Sequence, residues 1–417
     1  MVVVLHHPDF ISKHPTCNVD NTGEMHQEAG DRISGILEAL QSGINLDSSS
    51  ILLDETVPLA TDSQILAVHE EAYLLSLKSQ TERASTDVSR FSPLVVNDLE
   101  DKEYIEKYKR ENLSAYSATR FSKSTLRCAR RAAGAVIKAV EIATELLSDP
   151  LPERESTKGK TYCFALIRPP GHHSTTSGID KKAGGCGFCI FNNVCVGAAH
   201  VLNLRPESRI LIFDFDVHHG NGTQEIVVKR FKNKNVLYIS LHLLEVFDNP
   251  DQDFFPGSGK VEENGLQILN VPLSPLWVSN SSTKKRKISQ NGGGVVSSVK
   301  SGREGFRQAI SKSVCPRIAT FKPSLAMFSA GFDGALSDEG STQDGKVGLD
   351  LAASDFGWMT KEIVQACRAS NPTVSVVSAL EGGYGRWDSS LESYDRTSLI
   401  SSCMEHIRSL VECENQT

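Results

Sequence analysis

At 417 residues, 39% hydrophobic and 23% charged, the chain has the composition of a folded globular protein and room for one large α/β domain or two ordinary ones. A formal charge of −7 argues against a general nucleic-acid binder, which would carry a basic face, but leaves a basic protein open as substrate. No apolar run approaches the ~20 residues of a membrane span, and Met1–Pro8 has neither the length nor the basic start of a signal peptide.

In chain order, Val2 to Leu5 reads as a first strand, and His6-His7-Pro8 opens a loop that runs to Thr22. Glu28 to Leu40 has helical spacing, with Ile33, Ile36, Leu37 and Leu40 on one face and Arg32 near its start. Ser63 to Leu77 reads as one amphipathic helix capped by Ser63, with His69 a packed or solvated side chain. Residues 97–112, dense in charge of both signs, read as a solvated helix or loop. Ser122 to Leu147 is Ala-rich and helix-favouring, and the Pro-, Glu- and Lys-rich residues 149–160 read as a surface loop.

Thr161 to Ile167 reads as a strand running into Arg168-Pro-Pro-Gly-His-His173, followed by a polar loop, Gly184 to Cys189, and a small-residue helix from Asn192 to Leu204. Arg209 to Phe213 is an apolar, β-branched run that ends in Asp214-Phe-Asp-Val-His-His-Gly-Asn-Gly222. A helix from Thr223, strands at Val236–Leu241, Ile268–Val271, Leu325–Ser329 and Val374–Leu380, and a closing helix from Ser398 to Val411 continue the pattern. This alternation predicts a doubly wound, mostly parallel sheet. One segment breaks it: Ser279 to Gly302 is too polar to bury a core and reads as a disordered insertion within a single 1–417 domain. Its basic run Lys284 to Lys287 reads equally as a nuclear import signal or a solvated loop.

Ten cysteines in a chain this long are scattered, several of them in apolar runs (Cys163, Cys195, Cys367), which points to a reducing compartment rather than a disulfide framework. Cys186-Gly-Phe-Cys189 has no second C-x-x-C to complete a structural zinc site, so its cysteines read as small packing residues.

The chemistry is concentrated at strand ends, where open α/β sheets bind their ligands. Side chains two apart on an extended chain point the same way, so Asp214, Asp216 and His218 start on one face. With Asp333 they supply two carboxylates and an imidazole from Asp216, His218 and Asp333, a three-ligand set that leaves open positions, as catalytic zinc sites do. Fe(II) and Mn(II) suit the same donors. Asp214 can orient a neighbouring imidazole or serve a second, hard cation. His172 and His173 follow a rigid Pro-Pro turn, where imidazoles can take a proton from activated water and return it to a leaving amine. Tyr384, carried on two glycines, can offer a hydroxyl to a developing oxyanion. No nucleophile elbow, dinucleotide fingerprint or P-loop is present, so the chemistry indicated is hydrolysis by metal-activated water.

Together, Arg168-Pro-Pro-Gly-His-His173, Gly187-Phe-Cys189, Phe213-Asp-Phe-Asp-Val-His-His-Gly-Asn-Gly-Thr-Gln224, Tyr238-Ile-Ser-Leu-His242, Phe254-Phe-Pro-Gly257, Ser329-Ala-Gly-Phe-Asp333 and Leu380-Glu-Gly-Gly-Tyr384 resemble the zinc-dependent histone deacetylases. The Asn221-Gly-Thr-Gln224 and Glu381-Gly-Gly-Tyr384 variants resemble the class II branch. The resemblance runs from about His6 to the C-terminal helix and implies the arginase/deacetylase fold, a three-layer α/β/α sandwich on a mostly parallel eight-stranded sheet.

It further implies one zinc held by Asp216, His218 and Asp333, and His172 and His173 as the acid–base pair, supported by Asp214 and Asn221. Tyr384 would polarise the acetyl carbonyl, and Gly187, Phe188 and Phe255 would line a narrow tunnel for an acetyl-lysine stem. A potassium ion would use Asp214 and Ser240, with carbonyls of Asp216, His218 and Leu241, and Arg32 would lie near an internal channel. The expected partners are acetylated proteins such as histone tails, and corepressor complexes, in nucleus or cytoplasm, with no direct nucleic-acid or membrane contact.

Two departures stand out. Ala118-Thr-Arg120 occupies the place where relatives carry a rim aspartate that grips the substrate backbone, and Asp338-Glu-Gly-Ser341 replaces an Asp-Pro-Leu-Gly pattern. The expected activity is lysine deacetylation. The rivals are an amidohydrolase of acetylated polyamines or other small amines, which shares most of these motifs, and a catalytically idle scaffold that binds acetylated tails. A two-manganese arginase-like enzyme would need a second aspartate-rich motif, and here Gly220 follows the histidines.

Overall fold

The computed structural model describes residues 1–12, 26–43, 50–84, 119, 121–146, 161–180, 182–183, 185–244, 254–279 and 301–415. The charged segment 97–112, the loop 149–160, Ala118 and Arg120 of the rim, and the basic run Lys284–Lys287 lie outside them.

Among the described residues the strands are β1 (Val2–Leu5), β2 (Ile51–Asp54), β3 (Tyr162–Ala165), β4 (Ile210–Asp214), β5 (Val236–Leu243), β6 (Ile268–Leu273), β7 (Leu325–Ala330), β8 (Thr342–Gln343), β9 (Lys346–Val347), β10 (Ser375–Leu380), β11 (Arg386–Asp388) and β12 (Ser393–Asp395). Eight form the central sheet in the order β2-β1-β3-β10-β7-β4-β5-β6, and every pairing in it is parallel. Parallel strands covered on both faces need continuous apolar sequence. Accordingly β1, β3, β4, β5, β7 and β10 are buried along their whole length, while the edge strands β2 and β6 are partly exposed.

Helices cover the sheet. Thr125–Thr144 packs on β3 and β10 and against Asn193–Leu204. Thr397–Glu414 packs on β1 and β3 and against Asp31–Gln41 and Ala353–Ser370. The core is one continuous cluster that includes Phe164, Phe213, Phe328, Phe332 and Phe356. The expected eight-stranded α/β architecture is thus observed, with the polar motifs at the carboxyl ends of four adjacent central strands, β3, β10, β7 and β4.

One predicted helix divides. In place of Ser63–Leu77 there are two, Asp62–Leu66 and Glu71–Arg83. The cap is Thr61, which exchanges side-chain bonds with Gln64 in a capping box. The break has a tertiary cause. His69 turns inward, with Nδ1 2.9 Å from the Thr175 carbonyl and Nε2 accepting the Asn192 N–H, while the Glu70 N–H goes to the Thr176 carbonyl. Edge strand β2 and the helices Gly302–Ala309, Cys315–Phe321 and Ala353–Ser370 were not anticipated from sequence.

Candidate metal and catalytic centre

The centre grows from the end of β4. Asp214 closes the strand in register with Ser329 of β7 and Ser240 of β5, and the chain then turns through Phe215 to Gly220. Carboxylates hold that turn. Asp214 Oδ1 accepts the Asp216 N–H at 3.2 Å, Asp216 Oδ1 accepts the His218 N–H at 2.9 Å, and Asp333 Oδ1 accepts the Val217 N–H at 2.9 Å. Gly382 N–H adds a bond to Asp216 Oδ2 at 2.9 Å. The ligand-type side chains are therefore oriented by the backbone around them.

Their remaining atoms converge. His218 Nδ1 lies 3.0 Å from Asp216 Oδ1 and 3.0 Å from Asp333 Oδ2, and the three ligand atoms all fall within 4.8 Å of one another. Both carboxylates are buried, and one imidazole cannot neutralise them. The charges respond: burial, then the neighbouring Asp216, pushes the Asp333 carboxyl up, whereas burial of Asp216 is outweighed by His172 and His218, which hold it low. For His218, burial is outweighed by its bonds to the two carboxylates, and its pKa rises to about 9. Two buried carboxylate oxygens and a nitrogen, short of positive charge, fit a divalent cation with open coordination positions.

The tandem histidines sit beside this set with ring centroids 4.0 Å apart, and they differ in their partners. His172 Nδ1 is 3.0 Å from Asp214 Oδ2, which also accepts the Tyr238 hydroxyl at 3.0 Å. Burial opposes the charged ring, but Asp216 and Asp214 prevail and raise His172 to about 10. His173 Nδ1 is 2.7 Å from Asn221 Oδ1. Asp180 Oδ2 accepts from Asn221 Nδ2 at 2.8 Å, so the amide must present its oxygen to the ring. His173 then carries its proton on Nδ1 and keeps Nε2 as a free acceptor. Burial, followed by the charges of His172 and His218, holds it well below the ordinary histidine value.

Tyr384 reaches the same place from β10. Its ring meets Phe188 edge-on at 5.8 Å, and the Arg32 guanidinium lies 5.0 Å from its centroid. Arg32 donates to the carbonyls of Gly383 and Glu381, each at 2.6 Å, which ties the loop down from beneath. Glu381 Oε2 accepts the N–H groups of Gly171 and His172, and Oε1 accepts the Ser329 hydroxyl, so one carboxylate joins three strand ends.

Phe188 and Phe255 flank this group, the one against Tyr384 and the other against His173. Phe188 has φ of 67°, with its N–H bonded to Thr119 Oγ1 at 2.9 Å, and Phe255 lies edge-on to His173 at 5.0 Å. A side chain on Gly187 would run into the His173 ring, which is why only glycine fits there.

The site residues expected from sequence therefore come together. Asp214 and Ser240, the side chains expected to serve potassium, lie side by side on β4 and β5, with Ser240 Oγ 2.8 Å from His242 Nδ1 and Asp214 bonded to His172, Tyr238 and the Asp216 N–H. A second metal-type group, His172, Cys189 and Glu381, is committed to the fold through Glu381's backbone bonds, and burial pushes the Cys189 thiol well up.

Asp180, Glu381, Phe254 and Asp338 are contributors that sequence reasoning left without roles. Phe254 stacks on His218 at 5.0 Å, and its place in Phe254-Phe-Pro-Gly257 was the available signal. Asp180 stood in a polar loop with nothing to mark it.

A histone deacetylase domain model matches residues 26–397. The chain is 29% identical over 96% of its length to Type-2 histone deacetylase 2 of Dictyostelium discoideum, of which it covers 20%. It is 34% identical over 53% of its length to Histone deacetylase 7 of Homo sapiens, of which it covers 19%. The chain thus spans about a fifth of the length of these relatives. The crystal structure of the HDA15 HD domain superposes with a TM-score of 0.67 and 24% identity, covering 99% of this chain and 90% of that one, which shows the fold.

Proposed function

The chain belongs to the histone deacetylase family of hydrolases, and from that premise we propose that it is a zinc-dependent protein lysine deacetylase, releasing acetate from Nε-acetyl-lysine. The observation that carries the reading is the convergence of Asp216, His218 and Asp333 beside two histidines, one bonded to the Asp214 carboxylate and the other to the Asn221 amide. Zinc held by these three side chains would supply a Lewis acid for the amide carbonyl and would make water acidic enough to react near neutral pH.

The chain's own residues do the rest. His173, neutral and with Nε2 free, accepts a proton from the attacking water as its oxygen bonds to the acetyl carbon. The Tyr384 hydroxyl donates a hydrogen bond to the oxygen on which negative charge develops. His172, held protonated by Asp214, keeps positive charge beside that oxyanion. The C–N bond then breaks, His173 returns its proton to the departing amine, and lysine and acetate leave. Phe188 and Phe255 suit the aliphatic stem of the substrate and exclude bulk water. Acetylated protein segments such as histone tails, met in nucleus or cytoplasm, are the partners this reading proposes.

A small acetylated amine is the alternative, because Ala118 stands where relatives carry the rim aspartate that grips a peptide backbone. An acetyl-lysine peptide library and N-acetylspermidine, compared at equal concentration with and without a hydroxamate chelator, separate the two. The expected result is hydroxamate-sensitive acetate release from the peptides. Turnover confined to N-acetylspermidine would transfer the assignment to a small-amine amidohydrolase. No turnover by the zinc-loaded chain on either would leave a binding scaffold.

A further inference from the structure

The loop that follows Asp333 keeps the aspartate of the Asp-Pro-Leu-Gly pattern as Asp338, fully buried, and departs from the pattern after it. Its side chain bonds backbone only: Oδ2 accepts the N–H groups of Tyr384 at 2.9 Å and Gly385 at 2.6 Å, and Oδ1 accepts that of Gly340 at 2.9 Å. The next residue continues the seam. Glu339 N–H donates to the Gly385 carbonyl at 2.9 Å, and Glu339 Oε1 accepts the Trp387 N–H at 3.1 Å. Gly340 packs so closely that a Cβ there would stand 2.5 Å from Asp333 Cβ and 3.0 Å from the Tyr384 ring.

Tyr384 needs such a hold. It stands between Gly383 at φ 108° and Gly385 at φ 78°, residues whose backbone is free to adopt many conformations. Arg32 fixes the carbonyls before it, and Arg396 takes its own carbonyl. The N–H side of the tyrosine and of the glycine after it is gripped by Asp338.

We propose that Asp338 is the positioning residue for Tyr384: it sets where the phenol hydroxyl meets the acetyl oxygen, and it does so from the loop that also carries the metal ligand Asp333. The proposal rests on the reading of Tyr384 as the oxyanion donor. Three backbone N–H groups from both sides of the loop converge on the Asp338 carboxyl, and misplacing a catalytic group by about 1 Å can cost roughly 10²-fold in rate.

The test is a double-mutant cycle of Asp338→Asn with Tyr384→Phe, read as kcat and KM on the best acetyl-lysine peptide, with zinc content checked throughout. Asp338→Asn keeps one acceptor oxygen and serves where Asp338→Ala fails to fold. It should lower kcat by roughly 10-fold to 10²-fold, with KM nearly unchanged, and cost no more than about twofold on the Tyr384→Phe background, since the hydroxyl it positions is already gone. An equal loss on both backgrounds, or none on either, overturns the assignment. Ring-¹³C tyrosine NMR decides the matter without turnover. The Tyr384 signal, identified by its loss in Tyr384→Phe, should shift or broaden in Asp338→Asn, and an unchanged signal would refute positioning even if the chain deacetylates nothing.

Discussion

Two buried charge clusters lie a few residues apart in this fold and are finished in different ways. Behind the Tyr384 loop, Glu28 sits between Arg168 and Arg32, with Arg168 Nε and NH2 on its two carboxylate oxygens and Arg32 NH1 at 3.3 Å. The surplus positive charge is spread over the carbonyls of Phe10, Gly383 and Glu381. That cluster is complete within the protein. In front, Asp216 and Asp333 share the His218 imidazole, His172 Nε2 lies 3.8 Å from Asp216 but is already bonded through Nδ1 to Asp214, and no arginine or lysine makes an ion pair with Asp216 or Asp333 among the described residues. A buried cluster that the chain completes itself serves the fold. One that it leaves short of a cation at the end of a parallel sheet fits a bound ion, as the proposed function requires.

Chelation should break the comparison most completely. Stripping the metal should abolish turnover reversibly and, if zinc was present at about 100 times its Kd, remove about 2.7 kcal/mol of folded-state stability. Activity on zinc return and calorimetric melting check both parts, and an unchanged melting temperature with full activity in chelator would remove the metal centre. His173→Ala, which deletes the neutral ring, should lower kcat by roughly 10²-fold to 10⁴-fold while leaving zinc stoichiometry intact.

Glu28→Ala tests the rear cluster. It leaves two guanidinium groups buried without their carboxylate and should cost about 3–5 kcal/mol in denaturant unfolding. Tyr384→Phe should reduce kcat by roughly 10²-fold and barely move the unfolding midpoint. A milder change sharpens the contrast between the histidines. In Asn221→Asp a carboxylate would stabilise the His173 imidazolium and raise its pKa. Because the protonated ring cannot accept a proton, the acid limb of the kcat/KM profile should move to higher pH, costing about tenfold per unit moved at pH values below the limb. A limb that stays in place or moves to lower pH would contradict the role of Asn221. The solvent-facing Lys78–Asp62 pair sets the floor: Lys78→Ala should change stability by less than about 1 kcal/mol.

The sequence by itself determined a good deal. The β-branched runs with acids at their ends required buried parallel strands, but β4 ends at Asp214, so the turn after it, and not strand alternation, brings Asp216 and His218 to their places. Local spacing was sufficient to pair His172 and His173. It misled at Ser63, because what ends that helix is His69 reaching Thr175 across the molecule, a force with no local trace. The helix Ala353–Ser370 had its signal in Phe356, Met359, Ile363, Val364 and Cys367, spaced to one buried face, and was passed over.

Only the tertiary structure decided which strand ends would be neighbours. Asp333 joins Asp216 because β7 lies beside β4, and Tyr384 joins both because β10 lies beside β7. Sheet order is set by how whole helices and strands pack, which no single segment encodes. The same holds for the carboxylates that steady the site. Asp180 on Asn221, Glu381 on the His172 turn and Asp338 on Tyr384 each act across 41 or more residues, through backbone N–H groups or an amide, and such partners leave no mark on a sequence until the fold brings them together.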